Sequence, residues 1–433
     1  MEKHLSYNLL NIFSRLFNFL LFWLIVNKLG ASGETDWFFF VYGFVYFFVS
    51  TIFFSLEFAL VPTWPLLSEK ERERFWQTCI FFGLTGTLLL QLIGVPFSLY
   101  LPGLFGFSSS FSYGHTIFLS VILFLQPPLA FFSALHCSLL QSSGRYFWPI
   151  THISWRTLGV VPILLLPFCN GITWVGIAYL IGELLRFLVL MGAKGSNGIS
   201  FRLLRPIEIS PFKKYFEAIG WMALMISASA LNPYIDLVMV GRLGAGDATL
   251  VEYAARLRGM PVLLLSGTLT ILLGDWSRKY VQELSWNQVT RYAWRLGLCG
   301  LIMGGVLILS QPYWIPLVFT VKKFDSGLLN TIHRLMVWYI LGTPFLLITG
   351  ALGRGFMVLR QFRLLAVMGV LSVFVNVILN VMFIEMFGVQ GVAISTALLD
   401  LFLSSAYFLS GKMLSERRQK SWKADLENPQ ESL

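Results

Sequence analysis

Charged and chemically reactive residues are scarce in this sequence. Charged residues make up 12% of the 433 residues, whereas apolar residues make up 56%. Because a soluble domain usually carries roughly a quarter charged residues, this balance excludes an ordinary water-soluble protein. The 4 cysteines show no CxxC or Cys/His spacing, so neither a zinc site nor a disulfide framework is indicated.

The motifs of an enzyme are missing as well. The sequence has no phosphate-binding glycine loop and no HExxH or GxSxG motif, and its 5 histidines form no recognisable set. No large polar loop with acidic residues, of the kind a membrane glycosyltransferase or polymerase carries, interrupts the apolar segments. We therefore expect a protein that is not an enzyme and that needs no cofactor.

Long apolar runs take up most of the chain. A membrane-spanning helix needs about 20 mostly apolar residues, and twelve segments of the sequence meet that requirement. The sequence therefore predicts an all-α polytopic membrane protein. The predicted spans lie near residues 8–28, 36–60, 76–100, 115–140, 148–168, 171–191, 217–241, 250–275, 292–312, 329–356, 363–386 and 388–410.

The placement of the basic residues predicts an orientation. The net charge is +10, but Lys and Arg lie in short loops and not in one patch, which argues against a nucleic-acid partner. One alternate set of loops and the C-terminal tail hold nearly all of them, whereas the other set holds only Lys28, Arg242, Lys322 and Lys323. The positive-inside rule then places both termini in the cytoplasm. Because the N-terminus shows no cleavage-site pattern, its apolar run is predicted to be a retained first helix.

Two short matches indicate an internal repeat. VNKLGA at 26–31 resembles VGRLGA at 240–245, and GIA at 176–178 resembles GVA at 391–393, at an offset of about 215 residues. An even number of spans per half gives parallel repeats around a shared central cavity, which is typical of transporters. We therefore predict two pseudo-symmetric six-helix lobes. The predicted units are an N-terminal lobe at 1–192, a cytoplasmic linker at 193–216, a C-terminal lobe at 217–410 and a charged cytoplasmic tail at 411–433.

Several charged residues fall inside the predicted spans, where a charge costs roughly 3 kcal/mol or more. Arg156, Arg186, Glu252 and Arg334 lie near predicted span ends and are expected to snorkel to the membrane surface. Glu183 and Arg186, three residues apart on one helix, are also placed to neutralise each other.

Arg15 and Arg256 lie deeper in the first and eighth spans. A guanidinium group is always charged and binds phosphate through two parallel hydrogen bonds. We therefore expect these arginines either to hold an anionic head group in the central cavity or to form structural ion pairs.

Asp236 follows Asn232-Pro233 in the seventh span. Proline removes a helical hydrogen bond and frees carbonyl groups, and a buried carboxylate beside such groups suits Na⁺ or a proton. Asn376, Asn380 and Thr396 offer further oxygens, although helix–helix hydrogen bonding is the simpler explanation of these three from the residues alone.

Two patches of the sequence resemble the MurJ (MviN) family of lipid II flippases, within the multidrug/oligosaccharidyl-lipid/polysaccharide exporter superfamily. The resemblance runs over nearly the whole chain with sparse identities. It implies an alternating-access flippase in the bacterial cytoplasmic membrane, which carries an undecaprenyl-diphosphate-linked saccharide to the periplasmic leaflet. The patches are Phe13-Ser14-Arg15, Leu29-Gly30-Ala31, Thr35-Asp36-Trp37-Phe38-Phe39 and Val61-Pro62, and then Asp236 to Ser277 with Tyr253-Ala254, Arg256-Leu257 and Pro261.

The resemblance also implies a substrate site. Arg15 and Arg256 fall on two positions where the family's basic cavity binds the diphosphate. Ser14, Asp36 and Arg258, in or beside the matching patches, are taken with them as substrate-binding candidates.

A cation site is implied in the same way. Some family members bind Na⁺ between helices seven, eleven and twelve. Asp236, Asn376, Asn380, the Val392 carbonyl and Thr396 fall on that pattern, although Asn380 stands where the family has an aspartate. Na⁺ is therefore a candidate coupling ion.

The chain also departs from the family pattern. Leu21 and Phe22 stand near a second cavity arginine of the first helix, residues 44–49 (FVYFFV) replace a Pro-Asn-x-x-Arg-Arg segment, and Ala255 replaces an acidic residue. Peptidoglycan flippases carry two further helices that form a groove for the lipid tail, and only twelve spans are predicted here. We therefore expect a less basic cavity and leave the saccharide open.

Three functions follow from these observations. The first is a flippase for lipid II or a related envelope precursor, coupled to Na⁺ or H⁺. The second is a cation-coupled multidrug exporter of the same superfamily, and the third is a non-transporting scaffold in an envelope assembly complex. The expected partners are the lipid-linked saccharide and membrane lipids, and we expect the protein to act as a monomer.

Overall fold

The structure of the chain is a computed structural model. It describes residues 2–427 except 65–66, 106–111, 144, 170, 194–212, 280–284, 320–323 and 360. Most of the predicted linker therefore lies outside the described residues. The side chains of some helical residues, Arg15 among them, also lie outside the described part.

The described chain is helical and contains no strand. Each half begins with a long helix, α1 or α8, and ends with a close helix pair, α6 and α7 or α12 and α13. The helices are α1 (Glu2–Leu29), α2 (Gly33–Thr63), α3 (Glu69–Leu104), α4 (Tyr113–Phe124), α5 (Gln126–Ser142), α6 (Phe147–Leu165), α7 (Ile172–Gly192), α8 (Lys213–Val240), α9 (Asp247–Lys279), α10 (Trp286–Val318), α11 (Ser326–Val358), α12 (Phe362–Phe387) and α13 (Val389–Glu427).

The predicted span at 115–140 consists of two helices. α5 follows α4 after Leu125 and carries proline in its first turn, at Pro127-Pro128. Proline has no N–H and disfavours helical geometry in the residue before it, so the helix is interrupted there. Tyr113–Ser142 nevertheless forms one apolar crossing. Among the described residues, thirteen helices account for the twelve predicted spans, because α4 and α5 share one. The predicted all-α polytopic fold is confirmed.

The crossings differ in apolarity. Nine segments of the described chain are long and apolar enough to span a membrane on composition alone. The other three predicted spans fall on α1, α6 and α9, which carry Arg15, Arg156 and Arg256.

Local sequence signals account for several helix starts. Ser32 and Thr35 form a capping box at the start of α2, and Ser68 and Glu71 form one at the start of α3. The Asp325 carboxylate accepts a hydrogen bond of 2.8 Å from the Leu328 N–H at the start of α11. These side chains satisfy backbone N–H groups that have no partner within the helix.

The hydrophobic core divides differently at the two ends of the bundle. At the end where α1 stops and α2 begins, one continuous cluster includes Phe39 and Tyr253 and takes side chains from both halves. At the opposite end there are two clusters. One surrounds Trp76 of the N-terminal half, with Phe216 and Ile219 of α8 packed against it, and the other surrounds Trp286 in the C-terminal half. We call these the joined end and the split end.

Candidate substrate cavity and cation site

The Asp36 carboxylate makes hydrogen bonds between the two halves at the joined end. Asp36, at the start of α2, accepts hydrogen bonds from the Gly246 N–H at 2.6 Å and the Thr249 N–H at 2.7 Å. It also accepts one from the Thr249 hydroxyl at 2.6 Å. Asp36 thus caps the N-terminus of α9, where unpaired N–H groups and the helix dipole favour an anion. In this conformation the carboxylate, a predicted substrate ligand, is fully occupied by the other half.

Equivalent positions of the two halves meet at the same place. The Thr249 and Thr35 hydroxyl oxygens lie 3.0 Å apart, and the two residues are 214 positions apart. Phe39 and Tyr253, separated by the same offset, pack edge to face with ring centroids 5.6 Å apart. The Tyr253 hydroxyl then donates to the Gly30 carbonyl at 2.9 Å. These contacts join the start of α2 to the start of α9 at positions separated by the offset of the predicted repeat.

Arg256 lies just inside this closure, on α9. Its Nε is 2.7 Å from Glu252 Oε1, and the two side chains are 25% and 24% exposed. Its guanidinium lies over the Phe39 ring, 5.3 Å from the centroid. Glu252 therefore pairs within the cavity and does not snorkel to the surface as predicted. The pair supplies the acidic partner that Ala255 lacks, one helical turn earlier.

The other predicted substrate residues are dispersed. Ser14 is buried and accepts a hydrogen bond of 2.7 Å from the Ser154 hydroxyl of α6. Arg258 pairs with Asp400 of α13 and is therefore tied to the C-terminal half. The Arg15 side chain lies outside the described residues. Leu21 and Phe22, near the family's second cavity arginine, are buried in the joined core.

Two arginines expected at the membrane surface are buried instead. Arg156 Nη1 is 3.2 Å from Glu183 Oε1, with side-chain exposures of 14% and 0%. Arg186 pairs with the second oxygen of the same carboxylate, as the spacing of three residues predicted. Arg334, by contrast, is exposed. The snorkelling prediction is wrong for Arg156 and Arg186 because Glu183 lies opposite both, which their positions along the chain do not reveal.

Two glycines allow this network to form. A Cβ added at Gly159 of α6 would lie 2.7 Å from the Gly182 Cα of α7, and one added at Gly182 would lie 2.6 Å from the Arg156 carbonyl oxygen. Small residues let membrane helices approach backbone to backbone. This contact brings Arg156 beside Glu183, the residue that follows Gly182.

The predicted cation-site residues form one buried cluster. Asp236 Oδ1 accepts hydrogen bonds from the side-chain amides of Asn376 at 2.9 Å and Asn380 at 2.6 Å. The Thr396 hydroxyl lies 3.2 Å from Asp236 Oδ2 and 2.8 Å from the Val392 carbonyl oxygen. α8 continues through Pro233, so three intact helices, α8, α12 and α13, supply the cluster.

The donor set of this cluster fits a hard monovalent cation. Carboxylate, hydroxyl, carbonyl and amide oxygens are available, and hard cations prefer oxygen ligands. The Asn376 Oδ1 and Asn232 Oδ1 atoms are buried without a hydrogen-bond partner in the described structure, and such unpaired oxygens are costly. Asp236 is the carboxylate of this set, since Asn380 contributes an amide.

Sequence reasoning missed Tyr42 and Tyr179, two buried tyrosines that contact Arg156. Their rings stack with centroids 4.6 Å apart, and the Tyr42 hydroxyl lies 3.4 Å from Arg156 Nη2. The only sequence signal was the aromatic run in α2, which is common in any membrane helix. Their role emerges from their neighbours and not from their type.

Comparison with known proteins decides the family. The family model described as "Lipid II flippase MurJ" matches residues 25–430, which is most of the chain. The chain belongs to the MurJ family. The predicted resemblance is thereby confirmed, and so is the expectation that the protein is not an enzyme.

MurJ relatives match at low identity. The lipid II flippase MurJ of Burkholderia cenocepacia is 25% identical over 54% of this chain and 46% of its own length. The MurJ of Thermosipho africanus is 24% identical over 90% of this chain and 82% of its own length. The chain thus spans about half the length of the Burkholderia relative.

Solved structures share the fold. "Lipid II flippase MurJ, inward closed conformation" has a TM-score of 0.80 at 20% identity, covering 94% of this chain and 87% of that one. An inward-facing multidrug transporter of the MATE family has a TM-score of 0.70 at 16% identity, covering 94% and 96%. Both likenesses concern the architecture of two lobes around a cavity.

Proposed function

We propose that this protein carries a polyprenyl-diphosphate-linked saccharide, lipid II or a related envelope precursor, across the bacterial cytoplasmic membrane by alternating access. The observation that carries the proposal is Arg256 of α9, whose side chain is 25% exposed and whose guanidinium reaches across to the Phe39 ring of α2 in the other half. Arginine binds phosphate oxygens in a bidentate manner. Membership of the MurJ family supports the choice of a lipid-linked substrate.

An apolar cavity beside Arg256 supports a lipid-linked substrate. It has a volume of about 620 Å³ and lies between α1, α9, α10 and α11. Its lining includes Phe19, Trp23, Leu257 and Trp314, and Leu257 directly follows Arg256. A polar head group at Arg256 and a hydrocarbon chain in this cavity would satisfy both parts of such a molecule.

The orientation belongs to the same proposal. Loops at the split end hold most of the Lys and Arg residues, so we place the split end and both termini in the cytoplasm. The separate cores there let the head group enter between the halves from the cytoplasmic side. Release to the periplasm then requires the Asp36 contacts with α9 to break.

We further propose that a cation drives the cycle. Asp236 and the four oxygens around it would hold Na⁺ or a proton, and the bound cation would neutralise the one carboxylate of the cluster. Asp236 lies within electrostatic reach of Arg258, which is two residues from Arg256 on α9. The charge at the cation cluster therefore acts on Arg258, which lies on the same helix as Arg256.

Translocation in proteoliposomes tests the proposal. We expect the Arg15→Ala/Arg256→Ala double variant to translocate a fluorescent undecaprenyl-diphosphate saccharide at least about tenfold more slowly, since charged hydrogen bonds contribute about 1.5–3 kcal/mol each. Arg334→Ala, which removes an exposed arginine of the C-terminal half, is the matched control. A double variant as fast as wild type would contradict a diphosphate role for these arginines.

A multidrug exporter is the second candidate. Its support is the MATE-like fold together with apolar residues, Leu21 and Phe22, near a family arginine position. Export of a cationic dye by the same proteoliposomes, without movement of the lipid-linked saccharide, would favour this function.

A further inference from the structure

A second arginine contacts the tyrosines near Arg256 from the N-terminal half. Arg156 of α6 lies over the Tyr179 ring at 5.4 Å from its centroid and contacts the Tyr42 hydroxyl. Arg256, from the C-terminal half, is within electrostatic reach of the same Tyr42 and Tyr179. The stacked tyrosines therefore have an arginine from each half beside them.

The N-terminal network carries more positive than negative charge. Among the described residues, Glu183 is the carboxylate that pairs with both Arg156 and Arg186, which leaves one positive charge in excess. A buried charge without a counterion is strongly unfavourable in the low-dielectric membrane interior. An anionic ligand that enters the cavity would remove this imbalance.

Arg156 is the arginine of this pair that can reach such a ligand. Its side chain is 14% exposed, whereas that of Arg186 is 4% exposed and lies over the Phe53 ring. The Arg156 Nε atom has no hydrogen-bond partner within the described residues. Arg186 is thus held between Glu183 and Phe53, whereas Arg156 is the more exposed guanidinium of the pair and keeps one buried N–H, at Nε, without a partner in the described chain.

We propose that Arg156 is a second diphosphate-binding residue, which takes one phosphate of the lipid-linked substrate while Arg256 takes the other across the Tyr42–Tyr179 stack. The inference rests on the proposed function and names a contact within the same cavity. It accounts for the loss of arginines from residues 44–49 of α2, because the charge is supplied from α6 instead. Glu183 and Tyr42 orient the guanidinium through its two Nη atoms.

The preference for a diphosphate over a monophosphate measures this role directly. Purified full-length protein in detergent is titrated with undecaprenyl diphosphate, undecaprenyl monophosphate and inorganic pyrophosphate. We expect wild type to bind the diphosphate lipid about tenfold or more tightly than the monophosphate lipid, since one charged contact is worth that factor. Arg156→Gln should abolish this preference, and Arg156→Lys should keep part of it because the charge is retained.

Arg186→Gln is the matched control, because it removes the same charge from the network but not the more exposed guanidinium. Its preference should fall less than that of Arg156→Gln. An unchanged preference in Arg156→Gln, or an equal loss in Arg186→Gln, would overturn the inference. If Arg156→Gln does not fold, Tyr42→Phe removes the hydroxyl that orients Nη2 and should reduce the preference severalfold; no reduction would likewise overturn it.

The wild-type titrations distinguish a failure of this inference from a failure of the proposed function. Wild type that binds no diphosphate lipid would overturn both. Wild type that binds inorganic pyrophosphate as tightly as the lipid would overturn the assignment to a lipid-linked ligand. A wild-type preference that survives in Arg156→Gln would overturn the inference alone.

Discussion

The two halves share a fold and carry opposite chemistry. In the N-terminal half the last helix pair, α6 and α7, holds two arginines around one glutamate. In the C-terminal half the equivalent pair, α12 and α13, surrounds the Asp236 carboxylate with neutral donors. The first network has a positive charge in excess and the second a negative one. We propose that the first network serves as an anion site for substrate and the second as a cation site for coupling.

Separating the halves should have the largest effect on this arrangement. Asp36→Ala removes three hydrogen bonds from the start of α9, so we expect a loss of about 3 kcal/mol or more of stability. Thermal unfolding in detergent measures the loss. Asp247→Asn, which removes the neighbouring carboxylate at the start of α9, should be close to wild type. Equal destabilisation by both variants would show that Asp36 has no special role as a cap.

Breaking the N-terminal network alone should cost less. Gly182→Ala places a Cβ 2.6 Å from the Arg156 carbonyl and pushes α6 away from α7, so we expect about 1–3 kcal/mol of destabilisation and slower translocation. Gly192→Ala lies on the same helix with no atom within 4 Å of its added Cβ and should be neutral. If Gly182→Ala matched Gly192→Ala in stability and transport, the close approach would be unimportant.

Removing the C-terminal carboxylate should abolish a sodium effect. At a sodium concentration about ten times the Kd, binding stabilises the native state by about 1.4 kcal/mol. Wild type should therefore unfold at a higher temperature in NaCl than in choline chloride of equal ionic strength, and Asp236→Asn should not. Glu385→Gln, at an exposed position of α12, is the control. A full sodium shift in Asp236→Asn would place the cation elsewhere.

Adding a second carboxylate to the Asp236 cluster should strengthen cation binding in the C-terminal half. Asn380→Asp puts a second acidic side chain beside Asp236, at the distance where Asn380 now donates. Added ligand charge strengthens cation binding, so we expect sodium affinity to rise by about 1 kcal/mol, measured by the same unfolding titration. An unchanged or weaker affinity would mean that Asn380 does not face the cation.

The sequence was sufficient for the fold but only for part of the site. Apolar run length predicts the twelve crossings, because the bilayer sets one length for each. The cation cluster followed from a family resemblance that placed Asp236, Asn376 and Asn380 on three helices. Neither the apolar runs nor the family resemblance predicted that Gly159 and Gly182 let α6 and α7 touch. A glycine in a membrane helix does not indicate which helix packs against it. Arg156 was therefore predicted at the membrane surface, whereas it is paired with the buried Glu183.

We propose that each transport cycle opens the joined end and breaks the contacts between α2 and α9. Thr35 Oγ1 and Thr249 Oγ1 are 3.0 Å apart, so Thr35→Cys/Thr249→Cys places two sulfurs within reach of a disulfide. The background should lack Cys79, Cys137, Cys169 and Cys299, which are free. Translocation of the diphosphate-linked saccharide is then measured before oxidation, after oxidation and after reduction. We expect oxidation to stop translocation and reduction to restore it. A fully cross-linked protein that translocates as fast as the protein with reduced cysteines would contradict opening of the joined end.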